Sequence, residues 1–249
     1  MSLIMFKKYQ GKMFCFSPPV MLATFLIEFS FAAYTYWRYE PSTVRRLTIT
    51  MLIALGTFQL AEYMICGGLG LTNIDWARIG YGSITLLPAL GIHTIVALTG
   101  KKKPILVNAA YASCVAFIGF YLIGSGAVMG RTCAANYAVF STFSGSSNLF
   151  AAYYYGWLAI GTYLALKWSN ELPKRRKALQ AMAFGYMAFI LPTVAFNIID
   201  PASRSAIPSV MCGFAVIYAF ALVSKVMPSS GNTVRASLSD IRERFQIGF

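Results

Sequence analysis

Stretches of about 20 apolar residues, the length of helix needed to cross a bilayer, recur seven times in this chain, and most of its charges fall between them. The pattern predicts crossings at 17–37, 45–67, 79–99, 104–124, 148–168, 177–198 and 206–227. Within lipid every backbone N–H and C=O must be satisfied inside the protein, so the expected element for each run is a helix. The fold class that follows is all-α: a polytopic seven-transmembrane-helix bundle forming a single domain over 1–227, with a short tail at 228–249. Composition agrees. Only 12% of the residues are charged and 57% are hydrophobic, whereas soluble domains carry about 25% charged residues.

The net charge of +13 would suit a nucleic-acid binder, but the basic residues sit in short loops between apolar runs. There they orient the chain in a membrane, so the expected partner is the lipid bilayer and no nucleic acid. Arg38, Arg45, Arg46, Lys101, Lys102, Lys103, Lys167, Lys174, Arg175, Arg176, Lys177, Lys225, Arg235, Arg242 and Arg244 fall on one side. Only Lys7, Lys8, Lys12, Arg78, Arg131 and Arg204 fall on the other. The positive-inside rule then places the N-terminus outside and the C-terminus in the cytoplasm of a cell (inner or plasma) membrane. The N-terminal "MSLIMFKKYQGKMF" has no signal-peptide pattern, so the first apolar run reads as a retained span. Trp37, Trp76 and Trp168 lie at span ends, as interfacial anchors do, and Trp157 reads either as such an anchor or as lying deeper in its span. The longest loop, 125–147, is then external, and its "YAVFSTF" reads either as a strand or hairpin over the mouth of the bundle or as an irregular connector.

Polar residues at depth are the candidates for function, because intramembrane ionisable groups are costly and usually face the bundle interior. Glu28 lies near the middle of span 1, Gln59 and Glu62 in the outer part of span 2, and His93 in the inner half of span 3. Asn197 and Asp200 lie at the outer end of span 6. Gln59, Glu62 and Cys66 recur at i, i+3 and i+7 and share one helix face, and Asn197 and Asp200 share another. Two polar stripes at one depth describe either a pocket open to the outside or hydrogen-bonding glue between helices. Asp200, before Pro201, also reads as a helix cap.

His93 is the single histidine and, with no second ligand at helical spacing, makes a poor metal or haem site; a structural role is expected. Pro88 and Pro192 fall inside spans and predict bends, hinge positions for a moving helix. Of the five cysteines, Cys15, Cys66 and Cys133 would meet the oxidising side, with Cys66–Cys133 the expected pairing where the compartment permits one. Cys114 and Cys212 read as small buried hydrophobes. No Ser–His, HExxH or paired-carboxylate motif is visible, so no enzymatic activity is expected, and no cofactor or metal. A retinal attachment would need a lysine deep in the last span, whereas Lys225 lies near its cytoplasmic end.

"FQLAEYMICGGLGLTNIDWARIGYGSITLLPALGIHTIVALTGKKK" resembles the start of the seven-helix N-terminal sensor region of bacterial and archaeal histidine kinases. The matching positions are Glu62 late in span 2, Trp76 and Tyr81 early in span 3, Pro88 in mid-helix, and Leu98-Thr99-Gly100 at the inner end. "NYAVFSTFSGSSNLFAAYYYGWLAIGTYLALKW", "RRKALQAMAFGYMAFILPTVAFN" and "AIPSVMCGFAVIYAFAL" are similar to the family's later half. The departure is that no kinase module follows span 7 in this sequence. The resemblance implies a sensor or receptor-like bundle that signals through a cytoplasmic partner. An unknown small ligand would meet Gln59, Glu62, Tyr81, Asn197 and Asp200 in the outer half, with Arg131 or Arg204 available for an anionic group. Two rival readings are a small transporter or channel using Glu28 and Glu62, and a structural subunit of a membrane complex.

The orientation is directly testable. In a bacterial inner membrane, green fluorescent protein fused after Phe249 should fluoresce, and alkaline phosphatase fused there should be inactive. The opposite pair of results would invert the assignment.

Overall fold

The computed structural model describes residues 18–67, 70–124, 128–133, 138–142, 146–199 and 214–235. Among the described residues, six helices are long and apolar enough to cross a membrane. They are α1 (Pro18–Arg38), α2 (Thr43–Gly67), α3 (Asn73–Thr99), α4 (Pro104–Ile123), α5 (Ser146–Glu171) and α6 (Arg176–Ile199). A seventh, shorter apolar helix, α7, runs over Ala215–Ser229, with a π-helical turn at Leu222–Val226. The chain is thus a multi-pass helical membrane protein. Of the expected seventh span, 206–213 lies outside the described residues.

Local chemistry sets the helix ends. Thr72 accepts a hydrogen bond from the Asp75 amide (3.3 Å), so α3 begins six residues before the apolar run and takes in Trp76 and Arg78. It stops at Gly100, whose φ of 67° is the left-handed conformation that glycine adopts without a Cβ clash. Pro104 opens α4 at a position where a missing N–H costs nothing.

Strands β1 (Val128–Cys133) and β2 (Ala138–Thr142) form an antiparallel hairpin in the long loop, pairing Cys133 with Ala138 and Gly130 with Ser141. Of the two readings of "YAVFSTF", the strand is the one present, as an exception to an otherwise all-α fold. The hairpin lies against α2 and α3, on the face opposite the basic loops.

Helix α3 is the central member, packing on α2, α4, α5 and α6, while α1 meets α2 and α7 at one edge. The most apolar window of α3 is 67% buried, against 17% for that of α4, which leaves α4 peripheral. The helices lock at glycine sockets. Tyr186 of α6, 2% exposed, enters a notch between Gly91 of α3 and Gly161 of α5. A Cβ at Gly91 would overlap the Tyr186 hydroxyl and lie 2.9 Å from its Cζ; one at Gly161 would lie 2.5 Å from the ring. Next to it, Gly185 receives the ring of Tyr218 from α7, and the Tyr218 hydroxyl donates to the sulfurs of Met51 (3.5 Å) and Met182 (3.7 Å).

Gly91→Ala should therefore destabilise the bundle by about 1–3 kcal/mol, the usual cost of overpacking. Adding Tyr186→Phe should recover part of that loss, because it removes the atom the new methyl strikes. Equilibrium unfolding in mixed micelles reads both effects, and an unchanged midpoint in Gly91→Ala would rule out the socket.

Candidate functional site

Two contacts set the register of α1 on α2. The Arg45 guanidinium donates through Nη1 to the Tyr39 carbonyl at 2.6 Å. At mid-helix, a Cβ on Gly56 would lie 3.6 Å from the Glu28 Cβ and 2.6 Å from the Phe29 ring. Antiparallel helices then place Thr24 level with Gln59, Glu28 with Gly56, and Thr35 with Thr48. Thr24, Glu28, Thr35, Arg45, Thr48, Gln59 and Glu62 are all buried, so a polar seam runs the length of the α1–α2 contact. Rise per residue sets Glu62 about 9 Å nearer the hairpin face than Glu28.

The two halves of the seam differ. In the hairpin half, Gln59 and Glu62 are 3% and 1% exposed and engaged by neighbours. A Cβ on Gly80 would lie 3.3 Å from that of Ala61, which brings Tyr81 of α3 to the depth of Glu62. Tyr81 is also engaged, and stacks in a cluster with Tyr121 (4.7 Å between centroids) and Phe150 (5.8 Å) that joins α3, α4 and α5. Asn197 lies eleven residues beyond Tyr186 along α6, and Gly80 eleven before Gly91 along α3, so the Asn197 backbone reaches the same level. The side chain of Asn197 and the whole of Asp200 lie outside the described residues, as do Arg204 and the side chains of Arg131, Cys66 and Cys133. Of the expected site, the structure therefore brings Gln59, Glu62 and Tyr81 together in depth.

In the other half, several polar atoms are unsatisfied. Both carboxylate oxygens of Glu28, the hydroxyls of Thr35 and Thr48, and Nε of Arg45 are buried without a hydrogen-bond partner among the described residues.

Pro88 and Pro192 both fall inside helices, as expected. Proline has no N–H, and its ring crowds the preceding turn, so carbonyls near it become available. The Thr85 carbonyl accepts from the Tyr153 hydroxyl (2.7 Å) and the Cys114 thiol (3.5 Å); Thr193 Oγ1 donates to the carbonyls of Phe189 (2.8 Å) and Ile190 (3.0 Å). His93 is half-buried with Nδ1 3.1 Å from the Tyr111 hydroxyl, a contact between α3 and α4 that matches a structural role.

On the basic face, residues after α7 clasp the α1–α2 turn. Tyr39 bridges to Val234, the Glu40 amide donates to the Thr233 carbonyl (2.9 Å), and the Arg235 amide donates to that of Arg38 (2.9 Å). Arg45 and Arg235 both lie over the Tyr36 ring, at 4.9 and 5.8 Å. Burial pushes the Tyr39 phenol above its ordinary range, helped by nearby Tyr34 and opposed by Arg38. Lys101 pairs with Glu171 beside a cleft of about 540 Å³ lined by Thr99, Gly100, Pro173, Lys174 and Arg175. Arg45, counted among the basic residues that would orient the chain, is only 6% exposed. Its neighbour Arg46 is exposed, and nothing in the sequence separates the two.

No protein-family model matches the chain, and no curated protein or solved structure matches it significantly.

Tyr153→Phe should cost about 1 kcal/mol, the net worth of one hydrogen bond, because it leaves the Thr85 carbonyl without its hydroxyl donor. Thermal unfolding in detergent measures it, and a loss below about 0.3 kcal/mol would place the bond within the weakest membrane cases.

Proposed function

We propose that this protein is a membrane sensor or receptor-like bundle that takes a small ligand in the half beneath the hairpin. One observation carries the reading: the buried Gln59–Glu62 pair shares its depth with Tyr81 and the backbone of Asn197, under a hairpin that rests on α2 and α3. Ligand sites of this kind combine apolar and aromatic walls with a few polar groups that fix orientation. The resemblance of spans 2 and 3 to the sensor region of histidine kinases supports the same reading, as does the positive-inside count that puts the hairpin outside.

Transmission would follow from the packing. Helix α6 reaches the ligand level at one end and grips α7 through Gly185 and Tyr218 near its middle. Helix α7 carries a π turn, a feature frequent at functional sites, and leads into the segment that clasps the α1–α2 turn. A small shift of α6 about Pro192 would disturb that clasp and alter the basic face, where a signalling partner in the cytoplasm would dock. Transport is the second reading, favoured by the unpartnered Glu28.

A thermal-shift screen of purified protein against small amines, organic acids and aromatic solutes should find a stabilising compound. Its affinity should fall at least tenfold, about 1.4 kcal/mol, in Glu62→Gln. Cation flux into proteoliposomes that Glu62→Gln abolishes would replace the receptor reading with transport. Stoichiometric partner chains on purification, with no stabilising ligand, would favour a structural subunit.

A further inference from the structure

Glu28 is the residue that neither the hairpin-half site nor the packing accounts for. It is fully buried in the protein rather than turned to lipid, on a helix whose apolar window is only 28% buried. Both of its oxygens lack a partner among the described residues. The charged residues on the elements around it are few and distant. Its own helix has Arg38; α2 has Arg45, Arg46 and Glu62; α7 has Lys225. By helical rise, Arg45 lies about 16 Å towards the basic face and Glu62 about 9 Å the other way. The phenol of Tyr218 on α7 is already given to Met51 and Met182. Around Glu28 itself stand Gly56 and the Phe29 ring, and the Thr24 hydroxyl one turn away donates to the Met21 carbonyl at 2.9 Å.

A bare carboxylate in such surroundings is prohibitive, so the group must carry a cation. Metal cations of the alkali or alkaline-earth kind require several converging oxygens, and among the described residues no group of three His, Cys, Asp or Glu side chains converges on such a site. A proton requires no such group. On the hairpin side of Glu28 the polar groups Thr24, Gln59 and Glu62 are engaged, and unpartnered polar atoms continue from it only towards the basic face. Thr35 and Thr48 stand level with each other, and Arg45 follows at the basic end, each with a buried atom lacking a partner among the described residues. One apolar layer, Ala32 and Leu52, separates Glu28 from the two threonines.

We propose that Glu28 is a proton-binding site of the bundle, exchanging with the aqueous phase on the basic face along the α1–α2 seam. A proton from water on that face adds to one carboxylate oxygen to give the neutral acid, and returns by the same path when the Ala32–Leu52 layer hydrates. The site is separate from the ligand region near Glu62, and its assignment does not depend on the sensor reading.

Infrared spectroscopy of the full chain in liposomes tests it, since only 8 residues carry side-chain carboxyls. At neutral pH the wild type should show a carbonyl band of a neutral carboxylic acid that shifts in deuterium oxide and is missing in Glu28→Gln. Glu28→Asp should move that band rather than remove it, which covers the case of a poorly folding glutamine variant. In a Thr35→Val, Thr48→Val double variant, deuterium exchange of the band should slow at least tenfold. An ionised Glu28 at neutral pH overturns the proton site, more so if sodium chloride stabilises the wild type over choline chloride. A persisting band with unchanged exchange in the double variant overturns the path.

Discussion

Tyr186 of α6 packs against Gly91 of α3 and Gly161 of α5, and the packing of the three helices depends on the absence of two side chains there. With Gly91 and Gly161 the phenol ring fits against both backbones; with a larger residue at either, the Tyr186 side chain would have to move or the helices separate. Between transmembrane helices, apolar surface gains little by leaving lipid for protein, so close packing of this kind supplies much of the association energy. Tyr218 repeats the device one helix further, against Gly185, and so ties α7 to the same centre. Helices α1 and α4 lie outside this centre and keep most of their surface for lipid.

The α1–α2 contact answers to a different physics. Seven buried polar side chains line it, in a setting where each unsatisfied group is expensive. Towards the hairpin the groups are engaged; from Glu28 to the basic face each has a buried atom without a partner among the described residues, although Arg45 keeps its bond to the Tyr39 carbonyl. A helix pair selected for stability alone would replace Glu28, Thr35 and Thr48 with apolar residues of similar size. Their retention in one register is a property of the contact rather than of any single residue. It separates two regions by depth, one near Glu62 beneath the hairpin and one centred on Glu28.

Much of the architecture was legible in the chain because hydropathy is a local property. The first six helices fall within a few residues of the expected spans, except that α3 starts earlier, where Thr72 and Asp75 extend it into polar sequence. The strand in "YAVFSTF" and both intrahelical prolines were also visible. The glycines were harder to read. Gly119 and Gly156 stand out as clearly as Gly161, yet a Cβ at either would meet nothing within 4 Å, whereas one at Gly91, inconspicuous in sequence, would overlap the Tyr186 hydroxyl. A glycine's importance lies in what approaches it from another helix, and spacing along one helix carries no information about that.

By itself the sequence determined that the chain crosses a membrane several times, that its basic loops gather on one side, and that a few carboxylates stand at membrane depth. Those are consequences of which residues follow one another within about 20 positions, the length a bilayer imposes. Tertiary structure decided the partners: that Glu28 faces Gly56 with its oxygens unmatched, that Arg45 turns inward to the Tyr39 carbonyl, and that Tyr81 joins the level of Glu62. The reason is geometric. A helix fixes which residues share a face, but the rotation and register of that face against another helix are set only when side chains meet.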